Sequence, residues 1–274
     1  MKSLRIAAVA SLALAPAAFA AVPAHAAAEA TVSILHAVPG ATVDVYANGN
    51  ALLTNFKPGT LTDPLMIPEG TYDLKVTAAG AGAGGAAIIE AKGVQVPGGA
   101  NVTVVAHLSE AGKPVLTPFV NDTSQVPAGK ARVTVRHTAA APAVDVRANG
   151  QVAFKGLTNP NEAKAVVDAG TIKADVVLAG TSTVAIGPAD LNLKEGTNTI
   201  VYAWGSAADK NLALAVQTLS GMHSSPSGVP AGAGGQVAAE RQSAEVARYA
   251  AVGGAAAAAG GLVLMVRRRT ATTR

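Results

Sequence analysis

The heptad VDVYANG occupies residues 43–49, and VDVRANG occupies residues 144–150, at an offset of 101 residues. Only the fourth position differs, Tyr46 against Arg147. In an extended chain Val43 and Val45 point one way and Asp44 and Tyr46 the other, because side chains alternate along a strand. Asn-Gly directly after such alternation signals a two-residue hairpin, since both residues tolerate positive φ. The heptad therefore predicts a strand that runs into a tight turn. Its recurrence predicts that the chain builds the same hairpin twice.

Working outward, the correspondence continues. His36 precedes Asp44 by eight residues, and His137 precedes Asp145 by eight. Each histidine ends an alternating run: Val32, Ile34, His36 in one case and Val133, Val135, His137 in the other. Further on, EGTYDLKV (69–76) answers AGTIKADVV (169–177), and GANVTVVAH (99–107) answers GTNTIVYAW (196–204). A unit of roughly ninety residues is too long for a solenoid repeat and is the size of a domain. In the first unit, runs near 31–36, 42–47, 51–56, 64–67, 71–78, 86–96 and 101–108 read as half-buried strands, with a short one at 114–119. Turn signals about every eight to twelve residues are the pattern of a sandwich. The expected fold is all-β: two tandem Ig-like or fibronectin-like antiparallel β-sandwiches over 29–120 and 130–220. The intervening NDTSQVPAGK (121–130) reads as a short, semi-rigid linker.

Composition agrees with strands and turns. Of 274 residues 50% are hydrophobic but 3% aromatic, so the apolar content is mostly Ala and Val. Charged residues are 14%, and there are 29 Gly and 15 Pro. The net charge of +4 would suggest a polyanionic partner, but Lys2, Arg5, Arg267, Arg268, Arg269 and Arg274 sit at the two ends. All 17 acidic residues lie between, and no nucleic-acid partner is expected. With no cysteine, disulfides, thiol catalysis and Cys-based zinc sites are excluded.

The ends carry targeting patterns. Residues 1–26 have a basic start, an apolar run and Ala24-His25-Ala26, the pattern of a signal peptide cleaved after Ala26. Residues 249–266 contain no charge and are followed by three arginines. Eighteen helical residues span about 27 Å, close to the ~30 Å hydrocarbon core. Basic residues stay on the cytoplasmic side. The expected arrangement is a single-pass cell-membrane protein with its domains outside, a flexible Ser/Pro/Gly-rich stalk at 221–248, a transmembrane helix at 249–266 and a cytoplasmic tail at 267–274. Attachment to the cell wall is the alternative, although no LPxTG-like motif precedes the apolar segment.

A histidine, a Pro- or Ala-rich turn and then VDVYANG resembles the opening of the bacterial secreted family called domain of unknown function 4397. The resemblance covers about residues 31–220 as two tandem copies and is strongest over 32–49. Arg147 departs from it, standing where Tyr46 keeps the usual aromatic. The resemblance implies a secreted or surface β-sandwich, often repeated, and brings no catalytic residues.

The pairs His36 with Asp44 and His137 with Asp145 are the candidate site residues, because a carboxylate can orient an imidazole for acid–base work. No serine or cysteine recurs beside them. The favoured reading is therefore structural: each histidine bonds loop carbonyls and each aspartate pins a hairpin. His36, His107, His137 and His223 lack the spacing of a zinc set, and no calcium loop is present. No metal or cofactor is expected. The glycine-rich AGAGAGG (79–85) lacks the Gly-Lys-Ser/Thr of a phosphate loop. Tyr202 and Trp204 share a strand face and read as core. The functional expectation is a non-enzymatic envelope protein whose partner is another envelope protein or wall polymer. The alternative is an envelope hydrolase using a His/Asp site.

Overall fold

The computed structural model describes residues 28–224. The expected signal peptide, transmembrane helix and cytoplasmic tail, and all but the first residues of the stalk, lie outside them. Every regular element among the described residues is a strand, and none of them forms a helix long and apolar enough to cross a membrane. The first half contains β1 (Glu29–Ala37), β2 (Val43–Ala47), β3 (Asn50–Phe56), β4 (Leu65–Pro68), β5 (Gly70–Ala78), β6 (Ala87–Val96), β7 (Asn101–Leu108) and β8 (Pro114–Val120). The second contains β9 (Lys130–Ala140), β10 (Val144–Ala148), β11 (Gln151–Leu157), β12 (Glu162–Asp168), β13 (Gly170–Leu178), β14 (Val184–Leu193), β15 (Asn198–Ser206) and β16 (Ala213–Leu219). The first-half strands fall within two residues of the runs read from the sequence.

Each half folds into two four-stranded sheets paired as a sandwich. The orders are β4-β1-β7-β8 with β3-β2-β5-β6, and β12-β9-β15-β16 with β11-β10-β13-β14. The second pair repeats the first strand for strand. The chain divides into two compact units at Asp122, with the short pieces Thr138–Ala141 and Trp204–Ala215 grouped with the first.

The hairpin at the heptad forms as its residues dictate. Asn48 and Gly49 have φ of 50° and 80°, and Asn149 and Gly150 have 51° and 80°. Asn and Gly are the residues that adopt this left-handed conformation at low cost. The asparagines also reach the next strand. Asn48 Oδ1 accepts from the Asp73 N–H at 2.8 Å, and Asn149 Oδ1 from the Lys173 N–H at 3.0 Å. The turn residue thereby fixes β2 against β5 and β10 against β13.

Two expectations are corrected. The sheets are not purely antiparallel, because β1 pairs with β7 in parallel, Thr31 opposite Asn101 through Ala37 opposite His107. Parallel neighbours need a long crossover, and the chain supplies one by building the other sheet between them. Alternation also does not mean half-burial in every strand. Along β7 and β9 nearly every residue is buried, on both faces. Strands covered on both sides read as continuous apolar runs, which hides the period of two.

The core of the first unit is Ala30, Val32, Ile34, Val43, Val45, Phe56, Leu74, Val76, Val102 and Val104 with their neighbours. That of the second is Ala131, Val133, Val135, Val144, Val146, Leu157, Val176 and Leu193. Tyr202 is fully buried, as its strand position predicts, whereas Trp204 is partly exposed. From Thr123 on, the expected linker belongs to the second unit, as does the start of the expected stalk. Val126 is buried and donates its N–H to the Met222 carbonyl, and Met222 is itself 2% exposed. Met222, at the start of the expected stalk, is thus packed into the second unit.

Candidate functional site

The four signature residues stand at one place in each sandwich, where the ends of β1 and β9 meet the loops around β2 and β10. His36 and His137 are both almost fully buried. The Nε2–H of His36 donates to the Ala41 carbonyl at 2.8 Å, and its Nδ1 accepts from the Val38 N–H at 3.4 Å. His137 Nε2 bonds the Pro142 carbonyl at 3.0 Å. Each imidazole closes the loop that leads into its own heptad. The His36 ring also lies 5.6 Å from the Phe56 ring, tilted by 33°.

The aspartates do something different. Asp44 Oδ1 accepts from the Asn55 N–H and Oδ2 from the Gly80 N–H, each at 2.8 Å. Asp145 repeats this with Gly156 at 2.7 Å and Gly180 at 3.0 Å. Asn55 and Gly156 have positive φ, 54° and 64°, and lie where the register of β3 and β11 shifts against β2 and β10. An extra residue at such a bulge turns its N–H out of the ladder. The carboxylate takes that N–H with one oxygen and the turn after β5 or β13 with the other. One buried side chain therefore ties a strand bulge to a turn in both units. Within each pair the histidine and the aspartate lie on different sheets, and each is bonded to backbone groups of its own.

Two polar groupings escaped the sequence reading. Arg147, the residue that breaks the heptad match, forms a bidentate pair with Asp175, with contacts of 2.6 and 2.7 Å. These are cross-strand partners, and the equivalent pair in the first unit is Tyr46 opposite Lys75. The substitution at the fourth heptad position is thus matched on the neighbouring strand. The second grouping is deeper. Arg136 is 1% exposed and donates from Nε to Glu162 and from its guanidinium to the Tyr202 hydroxyl, each at 2.8 Å. The Tyr202 hydroxyl donates to Gln217 at 2.7 Å. Leu35 and Val105 hold the equivalent positions in the first unit, so this network is not repeated. Among the described residues no group of three His, Asp or Glu side chains is gathered as a metal would require.

The electrostatics give a prediction. Burial holds the His36 pKa below its ordinary value of 6.5. The Gly180 and Gly156 N–H groups hold Asp145 below its ordinary 3.8, and the Arg147 side chain does the same for Asp175. A group whose folded pKa is lowered makes the unfolded state the better proton binder, so stability falls as pH drops from the ordinary value through the folded one. Acid should therefore destabilise the protein in two stages. The first begins below about pH 6.5 and comes from His36. The second begins below about 3.8 and comes from Asp145 and Asp175. Urea melts across pH 3–8 check this, and His36→Gln should remove the first stage while leaving the second.

Residues 30–147 match a family model described as Domain of unknown function (DUF4397). The match takes in nearly all of the first unit and ends at Arg147, inside the second heptad. No curated protein matches the chain. The signature His36, Asp44, His137 and Asp145 all lie within that span, so residues 30–147 are similar to the DUF4397 family.

Proposed function

We propose that this is a secreted, non-enzymatic envelope protein. It carries two Ig-like or fibronectin-like copies of one domain, held outside the cell membrane by a single helix at 249–266 and presented to an envelope protein or wall polymer. The observation that carries the reading is the fate of the repeated polar residues. In both units the aspartate spends one oxygen on a bulge N–H and the other on a turn N–H, and the histidine spends Nε2 on a loop carbonyl. Residues kept at equal spacing by folding need no catalytic explanation. The hydrolase reading lacks comparable support, because an imidazole that activates water needs a free nitrogen lone pair facing it. Two copies on one chain would also raise avidity for a repeated ligand such as a wall polymer.

Cells producing the full chain provide the test. Treating intact cells with a membrane-impermeant biotin ester should label lysines of residues 28–224, and the detergent-extracted chain should co-sediment with purified wall polymer in a saturable way. Labelling only after lysis would overturn the outward placement. Hydrolysis of the polymer, abolished by His36→Gln with His137→Gln in a chain that still folds, would replace the binding reading with the enzymatic one.

A further inference from the structure

Between the two sheets of the first unit lies a cavity of about 180 Å³. Its origin is the side-chain inventory. Paired sheets stand about 10 Å apart and need bulky residues to fill the space. Here Val32 and Ile34 on β1 and Val104 and Ala106 on β7 face Val43, Val45 and Ala47 on β2, and these short side chains leave room between them. We propose that this cavity binds the end of an aliphatic chain, such as the terminal part of an acyl group. The proposal stands apart from the envelope reading and holds whichever partner the loops recognise.

Size and polarity point the same way. An apolar protein cavity of ~150 Å³ stays dry and takes up benzene, so the space here suits a hydrocarbon group of roughly six carbons. The polar groups on the wall are already committed. His36 is bonded through both ring nitrogens to its own loop, and the Tyr72 hydroxyl donates to the Pro68 carbonyl at 2.8 Å. A polar ligand would find nothing to exchange for its water. The cavity reaches along its strands. Its wall follows β1 from Val32 to His36, about 13 Å at the rise of a strand, which gives a linear chain end room to extend. Leu52, Ile67 and Leu116, on the outer strands β3, β4 and β8, line it and are half-buried. A chain end inserted past them would leave its head group in water.

The test is photolabelling of the full chain with octanoate carrying a diazirine at its last carbon. The expected result is cross-linking to lining residues, Val45, Val104 and Leu116 among them, competed by unlabelled octanoate. Ala106→Leu, which fills the cavity from β7, should reduce the label about tenfold or more while the protein remains folded by circular dichroism. Val45→Ala, which widens the cavity, should retain labelling and extend it to a decanoate probe, so the question stays answerable if Ala106→Leu fails to fold. A phospholipid bearing the same terminal diazirine tells the two sources apart. Labelling by the phospholipid assigns the site to membrane acyl chains, and labelling by octanoate alone assigns it to free fatty acids. Label scattered over exposed residues, or label undiminished in folded Ala106→Leu, would overturn the proposal.

Discussion

Replacing Asp44 by alanine should destabilise the first unit by about 3 kcal/mol, because two N–H groups lose a charged acceptor at once. Asp44 is 4% exposed, and its oxygens hold the Asn55 and Gly80 N–H groups at 2.8 Å. The bulge at Asn55 suffers most. Its positive φ aims the N–H away from the ladder, and no strand partner is in place to receive it. Asp44→Asn is the more telling variant. An amide keeps one acceptor oxygen but turns its NH2 toward the other donor, so about 2 kcal/mol should still be lost although shape and volume are conserved. Asp145→Asn should act in the same direction in the second unit, where Gly156 and Gly180 take the equivalent places. Urea unfolding of each variant measures the change. If Asp44→Asn melted like the parent protein yet lost a binding or catalytic property, the aspartate would be a site residue and the scaffold account would fail.

That experiment bears on what a single sequence can disclose. The hairpin was legible because its causes are local: alternation places Val43 and Val45, and Asn48-Gly49 admits only a narrow set of turns. The role of Asp44 was half legible. Its recurrence at fixed distance from the turn announced a scaffold. Its two partners, 11 and 36 residues away, depend on where a bulge and a second turn come to rest. The parallel pairing of β1 with β7 was not legible at all. A period of two reports which face of a strand is buried and says nothing about which strand lies beside it. Arg136 was hidden for a related reason. A charged residue at every second position reads as the solvent face, and here that face of β9 is buried. The signal available was the comparison of the copies, since Leu35 occupies the Arg136 position in the first unit. The cavity was beyond reach, because its volume is set by how walls from distant parts of the chain fall short of one another.

The buried arginine supports the second large prediction. Glu162→Ala should cost the second unit about 3 kcal/mol, whereas Arg136→Leu should change its stability by less than about 1 kcal/mol. The asymmetry follows from burial. The Arg136 side chain is 1% exposed and that of Glu162 29%. Removing the carboxylate takes the Glu162 charge away from a guanidinium in the interior. Removing the guanidinium leaves a carboxylate that water can still reach and a Tyr202 hydroxyl that keeps its bond to Gln217. Leucine is the residue the first unit already uses at this position, in a strand of the same order and burial. The double variant should melt close to Arg136→Leu alone, because the cost of Glu162→Ala exists only while the cation is present. A double-mutant cycle from thermal or urea melts measures that coupling directly. The competing account is that Arg136 acts chiefly by packing, with its guanidinium carbon 5.3 Å from the centre of the Tyr202 ring. Packing would make Arg136→Leu at least as damaging as Glu162→Ala and the two effects additive. The order of the two single variants therefore decides whether charge or contact holds this part of the second unit together.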